Sequence, residues 1–376
     1  MGLRTGVAEL PLHYGRAPRW LFNRMVKLSK AIAEVIIDEY GTQELLRRLA
    51  DPFFFQSLSC ALGYDWHSSG TTTVTCAALR EALSVEEHGV AVAGGKGKAS
   101  MRTPEEVVRR GVEMGLSGSS IDRLVYTSRM SAKVDNAVLQ DGYTLYHHVI
   151  VFDERGRWVV IQQGMNPEDR YARRYHWCWE GLESFVVEPH KAIVCDRRMP
   201  VVLDMTDRAS EGCRRASRDL ALEGPRRVAR MLKSVRPAWQ RSLDEWDPNV
   251  RDEGMRIQVL RMPRRLNWEA LKRVYELQPR SYEELVAVRG VGPSTVRALA
   301  LLSQLIYGEP PSWRDPVKYS FTVGGKDGVP YPVRRDVYDS VIQFLRDAIQ
   351  RAELGDRERL EALRKLSRAS LGEYRT

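Results

Sequence analysis

The chain has 376 residues, 43% of them hydrophobic, which is enough for two or three domains with substantial cores. No run of about 18 apolar residues and no apolar secretion signal is present, so the sequence predicts a cytoplasmic protein without a membrane span. Five scattered cysteines exclude a zinc ribbon and a disulfide framework, while a net charge of +9, carried mostly by arginine, favours a nucleic-acid partner.

The first predicted elements are helical. Apolar residues recur at helical spacing over residues 19–49, which predicts a long helix. The polar stretch DWHSSGTTT, residues 65–73, precedes a second predicted helix over residues 76–83. Its hydroxyl groups can either cap that helix or hold a phosphate at the helix N-terminus, and the residues leave both interpretations open.

A glycine-lysine loop follows the next predicted strand. The stretch GVAVAGGKGKA, residues 89–99, indicates a strand that runs into a loop carrying Lys96 and Lys98. Lys96 does not stand in the G-x-x-x-x-G-K-[ST] frame of a Walker P-loop. The two lysines can contact a phosphate backbone or remain solvated, and we treat them as candidate nucleic-acid-binding residues.

Residues 128–166 form the strand-rich middle of the chain. Aromatic and β-branched residues over 143–152 and 158–163 flank the turn sequence DERGR, a pattern that predicts a β-hairpin. The section also holds more polar side chains than a plain sheet requires, and buried polar groups need partners. His147 and His148 are adjacent in a strand, so they face opposite sides and only one can serve a given site.

We therefore place a candidate catalytic centre in this middle section. Metal-dependent nucleases need carboxylates around a divalent ion and often a lysine that orients water. Asp135 and Asp141 are the predicted ligands of a Mg²⁺ or Mn²⁺ ion. Lys133 is expected to orient the attacking water, and Gln162 to position it. The alternative is that these groups only satisfy one another in a polar core.

The stretch YARRYHW, residues 171–177, interleaves arginine with aromatic side chains. Aromatic rings stack on bases and arginines hold phosphates, so Arg173 and Arg174 are candidate nucleic-acid-binding residues. The alternative interpretation is a half-buried amphipathic segment. Short strands over residues 189–203, an arginine-rich helical region over 207–246 and a linker over 248–263 are predicted to follow.

The segment LVAVRGVGPSTVRALALLSQLIY, residues 285–307, predicts two helices joined by a tight turn. Two glycines allow the turn, and the proline after them suits the first turn of the second helix. The free backbone N–H groups of such a helix N-terminus are a ready site for a phosphate. The candidate nucleic-acid-binding residues here are Gly290, Val291, Gly292, Ser294, Thr295 and Arg297.

Several stretches together resemble a family of archaeal and thermophilic-bacterial proteins described only as a domain of unknown function. They are DWHSSGTTT, VAGGKGKAS, LYHHVIVF, QQGMNPEDRYARRYHW and PPSWRDPVKYSF. The resemblance covers most of the chain. It implies no activity, but it indicates that these segments belong together.

The turn at Gly290 and Gly292 resembles the helix-hairpin-helix element of DNA-repair proteins. In base-excision glycosylases with this element an essential aspartate follows, and Asp315 lies near that position, in a Trp-Arg-Asp-Pro context that departs from the usual Val-Asp-Thr. Ser294 stands where bifunctional members carry their Schiff-base lysine, which implies no lyase chemistry by that route. The element also accompanies nuclease domains, but here the strand expected to carry the Glu-x-Lys of restriction nucleases reads Val-Ile-Gln-Gln-Gly.

Together these patterns predict an α+β protein. A mixed α/β body with a small hairpin-rich sheet is expected over residues 1–250, and a helical domain with the helix-hairpin-helix element over residues 251–376. The predicted function is DNA binding in DNA repair or processing, with metal-dependent nuclease activity as the first expectation. A DNA glycosylase and a non-catalytic DNA- or RNA-binding protein are the alternatives.

Overall fold

The computed structural model describes residues 19–63, 69–168, 171–195, 198–239, 262–263, 265–317, 335–352 and 354–371. Within these ranges the chain has fourteen α-helices, a five-stranded antiparallel sheet and a two-stranded sheet, which confirms the predicted mixed α/β fold. The predicted linker lies almost wholly outside the described residues. No helix in the described part of the chain is long and apolar enough to cross a membrane.

Along the sequence, helices both precede and follow the strand-rich middle section. In chain order they are α1 (Arg19–Ala50), α2 (Pro52–Leu62), α3 (Ser69–Ala82), α4 (Val85–His88), α5 (Lys98–Met101), α6 (Thr103–Glu113), α7 (Gly118–Lys133), α8 (Glu211–Leu222), α9 (Pro225–Trp239), α10 (Trp268–Leu277), α11 (Tyr282–Ala287), α12 (Pro293–Tyr307), α13 (Arg335–Arg351) and α14 (Asp356–Leu371). The helix predicted from residue 76 begins at Ser69, because the hydroxyl-rich stretch before it forms the first helical turns.

The strands form one main sheet with the order β1-β3-β4-β5-β6, and β2 pairs with β7 in a small second sheet. They are β1 (Val90–Lys96), β2 (Leu139–Gln140), β3 (Thr144–Asp153), β4 (Trp158–Asn166), β5 (Tyr171–Cys178), β6 (His190–Val194) and β7 (Leu203–Asp204). The predicted β-hairpin is β3 and β4. Its turn is held by Asp153, whose Oδ1 accepts from the N–H groups of Arg155 and Arg157 at 3.0 and 3.1 Å.

Cross-strand pairing sorts the polar residues of the sheet onto two faces. His148, Gln162 and Tyr175 are successive partners across β3, β4 and β5 and share what we call the front face. His147 is paired with Gln163 on the opposite side, the back face. The two histidines therefore face opposite sides, as the sequence predicts.

Each face of the sheet is covered by helices from both ends of the chain. The front face shares a hydrophobic core with α7, α8 and the C-terminal helices up to α12. The back face shares another with α1, α2 and α3 and with α13 and α14. Residues on both sides of position 250 thus contribute to both cores. The predicted domain boundary itself falls within residues 240–261, outside the described part of the chain.

A buried ion pair ties the segment after α12 to the front face. The Arg173 guanidinium donates to Asp141 at 2.9 Å and to both carboxylate oxygens of Asp315 at 3.0 and 2.7 Å. Arg173 is fully buried, and the side chains of both aspartates are nearly so. One arginine therefore compensates two buried carboxylates that come from distant parts of the sequence.

Arg173→Met should lower the free energy of unfolding by about 3–5 kcal/mol, because it leaves two buried carboxylates without their cation. Urea unfolding measures the change. Arg215→Met is the matched control, because Arg215 forms an exposed pair with Glu211 and its loss should change little. Equal effects of the two substitutions would contradict a special role for the buried pair.

Candidate active site

The residue at the centre of the front face lies on an unusual helical turn. The end of α7 continues into a π-helix, Val134–Val138, and this turn carries Asp135, which is fully buried. π-Helical turns are rare and occur frequently at functional sites. The turn packs Asp135 against the sheet, where a buried carboxylate requires hydrogen-bond donors.

Three N–H donors from three strands surround Asp135. Gln162 Nε2 donates to its Oδ2 at 2.5 Å and Trp177 Nε1 at 2.9 Å, while His190 Nε2 bonds to its Oδ1. A carboxylate can only accept, so His190 carries its proton on Nε2 in the neutral ring. Its Nδ1 is then a bare acceptor.

The hydrogen-bond chain continues across the sheet from Gln162. Because the amide nitrogen of Gln162 donates to Asp135, its oxygen accepts from His148 Nδ1, at 2.8 Å. His148 Nε2 then accepts from the Ser128 hydroxyl, also at 2.8 Å. Burial lowers the pKa of His148 to about 4, so the ring is neutral near pH 7. The chain therefore has a fixed direction, from Ser128 towards Asp135.

His190 opens onto a cavity of about 550 Å³ beside the end of the sheet. The polar side chains that line it include those of Glu188, His190, Arg198, Asp204, Asp207 and Arg314. Asp204 is 2% exposed, and desolvation raises the pKa of its carboxyl group. Its Oδ1 accepts from the Thr206 N–H and hydroxyl at 2.8 and 2.6 Å. Within the described residues, Asp204 Oδ2 and His190 Nδ1 have no hydrogen-bond partner.

The backbone beside His190 is strained. Glu188, which also lines the cavity, has φ 42°, in the left-handed region that residues with a side chain rarely adopt. Its N–H is held by the carbonyl of Thr206 at 2.8 Å. Such strain persists only where the surroundings impose it, and it clusters at functional sites.

His190 and Asp204 are not among the residues predicted from the sequence. His190 lies 55 residues from its partner Asp135, and no local motif joins them. One signal for Asp204 in the sequence is that a second carboxylate, Asp207, follows three residues later. Asp204 itself is the last residue of the short strand β7. Such a pair of carboxylates at a strand end is a weak indication by itself.

The four predicted catalytic residues do not form one centre. Asp135 and Gln162 are in direct contact, as expected. Lys133 instead donates to the carbonyl of Val288 at 2.6 Å, and burial lowers its pKa to about 8. Asp141 accepts from Arg173, from the Tyr175 hydroxyl at 2.6 Å and from a backbone N–H.

Asp135 and Asp141 do not form a metal pair, because the oxygens of each already accept hydrogen bonds from their own donors. Three potential metal ligands come within reach of one ion, among the described residues, only at Glu34, Glu87 and His88. There the backbone N–H of Ser84 donates to His88 Nδ1 at 3.1 Å, so the proton of the neutral ring sits on Nε2, the atom a metal would need. This group does not fit a metal.

The prediction that Arg173 and Arg174 form a nucleic-acid-binding surface is wrong. Both side chains are completely buried, because β5 is an interior strand covered on both faces. Arg174 lies under α3, donating to Gln56 at 3.2 Å and to Thr72 at 3.4 Å. Alternation of arginine and aromatic residues here reflects two polar cores rather than a solvent-exposed face.

The turn between α11 and α12 has the geometry that the sequence predicts. Gly290 has φ 94°, and a Cβ there would lie 2.7 Å from Arg273, whereas Gly292 faces open space. The first hydrogen bond of α12 is from Val296 N to Gly292 O, so the N–H groups of Ser294 and Thr295 have no acceptor within the helix.

Of the side chains at this turn, only some are accessible. Ser294 is exposed, whereas Val291 and Thr295 are each 2% exposed, so they can offer a ligand only their backbone. The Arg297 guanidinium lies over the Trp313 ring, 5.6 Å from its centroid. Lys96 ends β1 and Lys98 begins α5, and both are exposed at the other edge of the sheet from β6.

Two side chains that flank the π-helix hold both ends of this turn. Lys133 donates to Val288 O at 2.6 Å, and Gln140 Nε2 donates to Pro293 O at 2.9 Å. We call residues 288–293 the glycine turn. The eight residues from Lys133 to Gln140 therefore both fix the glycine turn and supply Asp135 to His190.

The His147 side chain is buried on the back face, and its burial should affect how stability depends on pH. The ring is 1% exposed, and neither nitrogen has a partner among the described residues. Burial lowers its pKa from 6.5 to about 3. Below about pH 6.5 this histidine is therefore protonated in the unfolded chain but not in the folded chain. The free energy of unfolding falls as the pH falls.

His147→Leu should flatten this pH dependence, by up to about 1.4 kcal/mol per pH unit, because one titrating group is removed. Urea unfolding between about pH 7 and pH 5, the range in which a free histidine titrates, gives the slope of unfolding free energy against pH for the wild type and for the variant. The variant should also be no less stable at neutral pH. Identical slopes would show that His147 binds a proton equally well in the folded and unfolded chains, so that its pKa is not lowered by folding.

Comparison with known proteins identifies the family of this chain. No curated protein and no solved structure matches it. A family model matches residues 6–333, a range that includes the entire sheet, the π-helix and the glycine turn. The chain belongs to the family described as protein of unknown function DUF763.

Proposed function

We propose that this protein is a DNA-processing enzyme, a nuclease that holds DNA at the glycine turn and hydrolyses the backbone in the His190 cavity. The observation that carries the proposal is the dual role of residues 133–140. Lys133 and Gln140 fix the two ends of the glycine turn, and Asp135 between them orients His190. A phosphate bound at the turn is thereby held in a fixed relation to the cavity.

The glycine turn suits a DNA phosphate for physical reasons. The N–H groups of Ser294 and Thr295 point out of a helix N-terminus, where the helix dipole favours negative charge. Gly292 has no side chain to block a close approach, and a Cβ there would meet nothing within 4 Å. The net charge of +9 favours a polyanionic partner, and Lys96 and Lys98 add two exposed cations.

The cavity suits hydrolysis. Attack on a phosphodiester needs a water that is deprotonated or bound to an ion. His190 Nδ1 and Asp204 Oδ2 are acceptor atoms of two largely buried residues that line the cavity, and they can take the proton or hold the ion. Arg198 and Arg314 are exposed side chains at the cavity and can contact the phosphate.

The glycosylase alternative finds less support. Each oxygen of Asp315 already accepts two hydrogen bonds: Oδ1 from Arg173 and Val317 N, Oδ2 from Arg173 and Met199 N. A carboxylate saturated in this way is poorly placed to act as a base or to stabilise a cation in the substrate. Asp315 is better explained as the anchor of its segment.

Two variants separate binding from cleavage. His190→Asn should lower DNA cleavage by about a hundredfold or more while binding persists, because it removes the acceptor nitrogen. Gly292→Leu should weaken binding about tenfold and reduce the salt dependence of affinity, because the side chain blocks the phosphate. Gly118→Leu is the matched control, since that glycine also faces open space but lies away from the glycine turn.

The assay uses single-stranded, duplex, flap and damaged-base DNA with Mg²⁺, with Mn²⁺ and with EDTA. Strand breaks that depend on His190 support the nuclease. EDTA-resistant release of a base would instead establish the glycosylase, with Asp315→Asn as its test. Binding without product under every condition would establish a non-catalytic protein, and an affinity independent of salt and of Gly292 would remove the DNA-binding proposal.

A further inference from the structure

The pair formed by His190 and Asp135 has the arrangement typical of a metal-binding histidine. Such a histidine usually donates its other ring N–H to a carboxylate, which fixes the ring and makes the free nitrogen a better ligand. Here Nε2 bonds to Asp135, and Asp135 is itself fixed by Gln162 and Trp177. Nδ1 is therefore a bare, oriented acceptor on a residue that is 6% exposed.

Asp204 offers a second bare acceptor in the same cavity. It is 2% exposed, and its Oδ1 is fixed by two bonds from Thr206, which leaves Oδ2 without a partner in the described part of the chain. Desolvation raises the pKa of its carboxyl group. His190, Asp204 and Asp207 all line this cavity.

We infer that His190 Nδ1 and Asp204 Oδ2 bind a divalent transition-metal cation in this cavity. A mixed imidazole and carboxylate set suits Mn²⁺ or Zn²⁺ better than Ca²⁺, which prefers oxygen ligands. Two protein ligands leave the remaining positions to water, as in sites that also receive a substrate phosphate. Asp207 lines the same cavity and adds negative charge near the ion.

The charge of the cavity gives the cation a role. Glu188 is paired with Arg208 at 3.0 Å, whereas Asp204 and Asp207 also line the cavity and repel a phosphodiester. A bound cation attracts the phosphate and carries a water of lowered pKa to it. This role rests on the nuclease function proposed above, whereas the binding of the cation rests on the cavity alone.

Mn²⁺ titration of the full-length, metal-free protein without DNA tests the site, with free Mn²⁺ followed by electron paramagnetic resonance. Wild type should bind one ion per chain through His190 and Asp204. Asp204→Asn should weaken binding about tenfold or more, and its amide oxygen can still accept from Thr206, so the fold is kept. Asp135→Asn should cost about 10–100-fold through the orientation of His190.

Glu87→Gln is the matched control. It removes a carboxylate from the group at Glu34, Glu87 and His88, where protonated Nε2 and the nearby Lys30 ammonium oppose a metal. Its Mn²⁺ affinity should equal that of wild type.

The inference is overturned if the wild type binds no Mn²⁺. It is also overturned if Glu87→Gln weakens Mn²⁺ binding and Asp204→Asn does not. Thermal unfolding of each variant identifies a loss caused by misfolding. Should Asp135→Asn unfold, Asp204→Asn alone decides. Metal binding without any DNA cleavage would remove the nuclease proposal and leave the metal site standing.

Discussion

A buried carboxylate dictates the arrangement of the front face. Asp135 has no access to solvent, and an uncompensated charge in that environment costs several kcal/mol. The chain surrounds it with N–H donors from β4, β5 and β6, which fixes the order and register of those strands beneath the π-helix. The acceptor nitrogen of His190 and the cavity it faces follow from that arrangement.

The same segment connects the sheet to the C-terminal helices. Lys133 and Gln140, on either side of the π-helix, donate to backbone carbonyls at both ends of the glycine turn. Arg173 adds a second link through Asp141 and Asp315, and residues from both halves of the chain share each core. The proposed phosphate-binding turn and the proposed catalytic cavity are therefore connected through side-chain hydrogen bonds.

Local patterns in the sequence predicted what depends on neighbours in the chain. The β3–β4 hairpin, the opposite faces of His147 and His148 and the turn at Gly290 all follow from spacing and turn residues. The burial of Arg173 and Arg174 was not predictable in this way, because an interior strand with a polar core on each face has the same alternation as an exposed one. The contact between Asp135 and His190 joins residues 55 positions apart. Lys133 donates to the carbonyl of Val288, 155 positions away, instead of joining the predicted site. Only the tertiary fold reveals such pairs.

The proposed function requires that one rigid segment relates a DNA-binding turn to a catalytic cavity. A structure of the His190→Asn variant bound to a short duplex tests it most directly. A phosphate oxygen should lie about 3 Å from the N–H groups of Ser294 and Thr295, the distance of a hydrogen bond, and the same DNA should reach the cavity at Asp204. DNA bound on another surface, or held at the turn with its backbone directed away from the cavity, would contradict it.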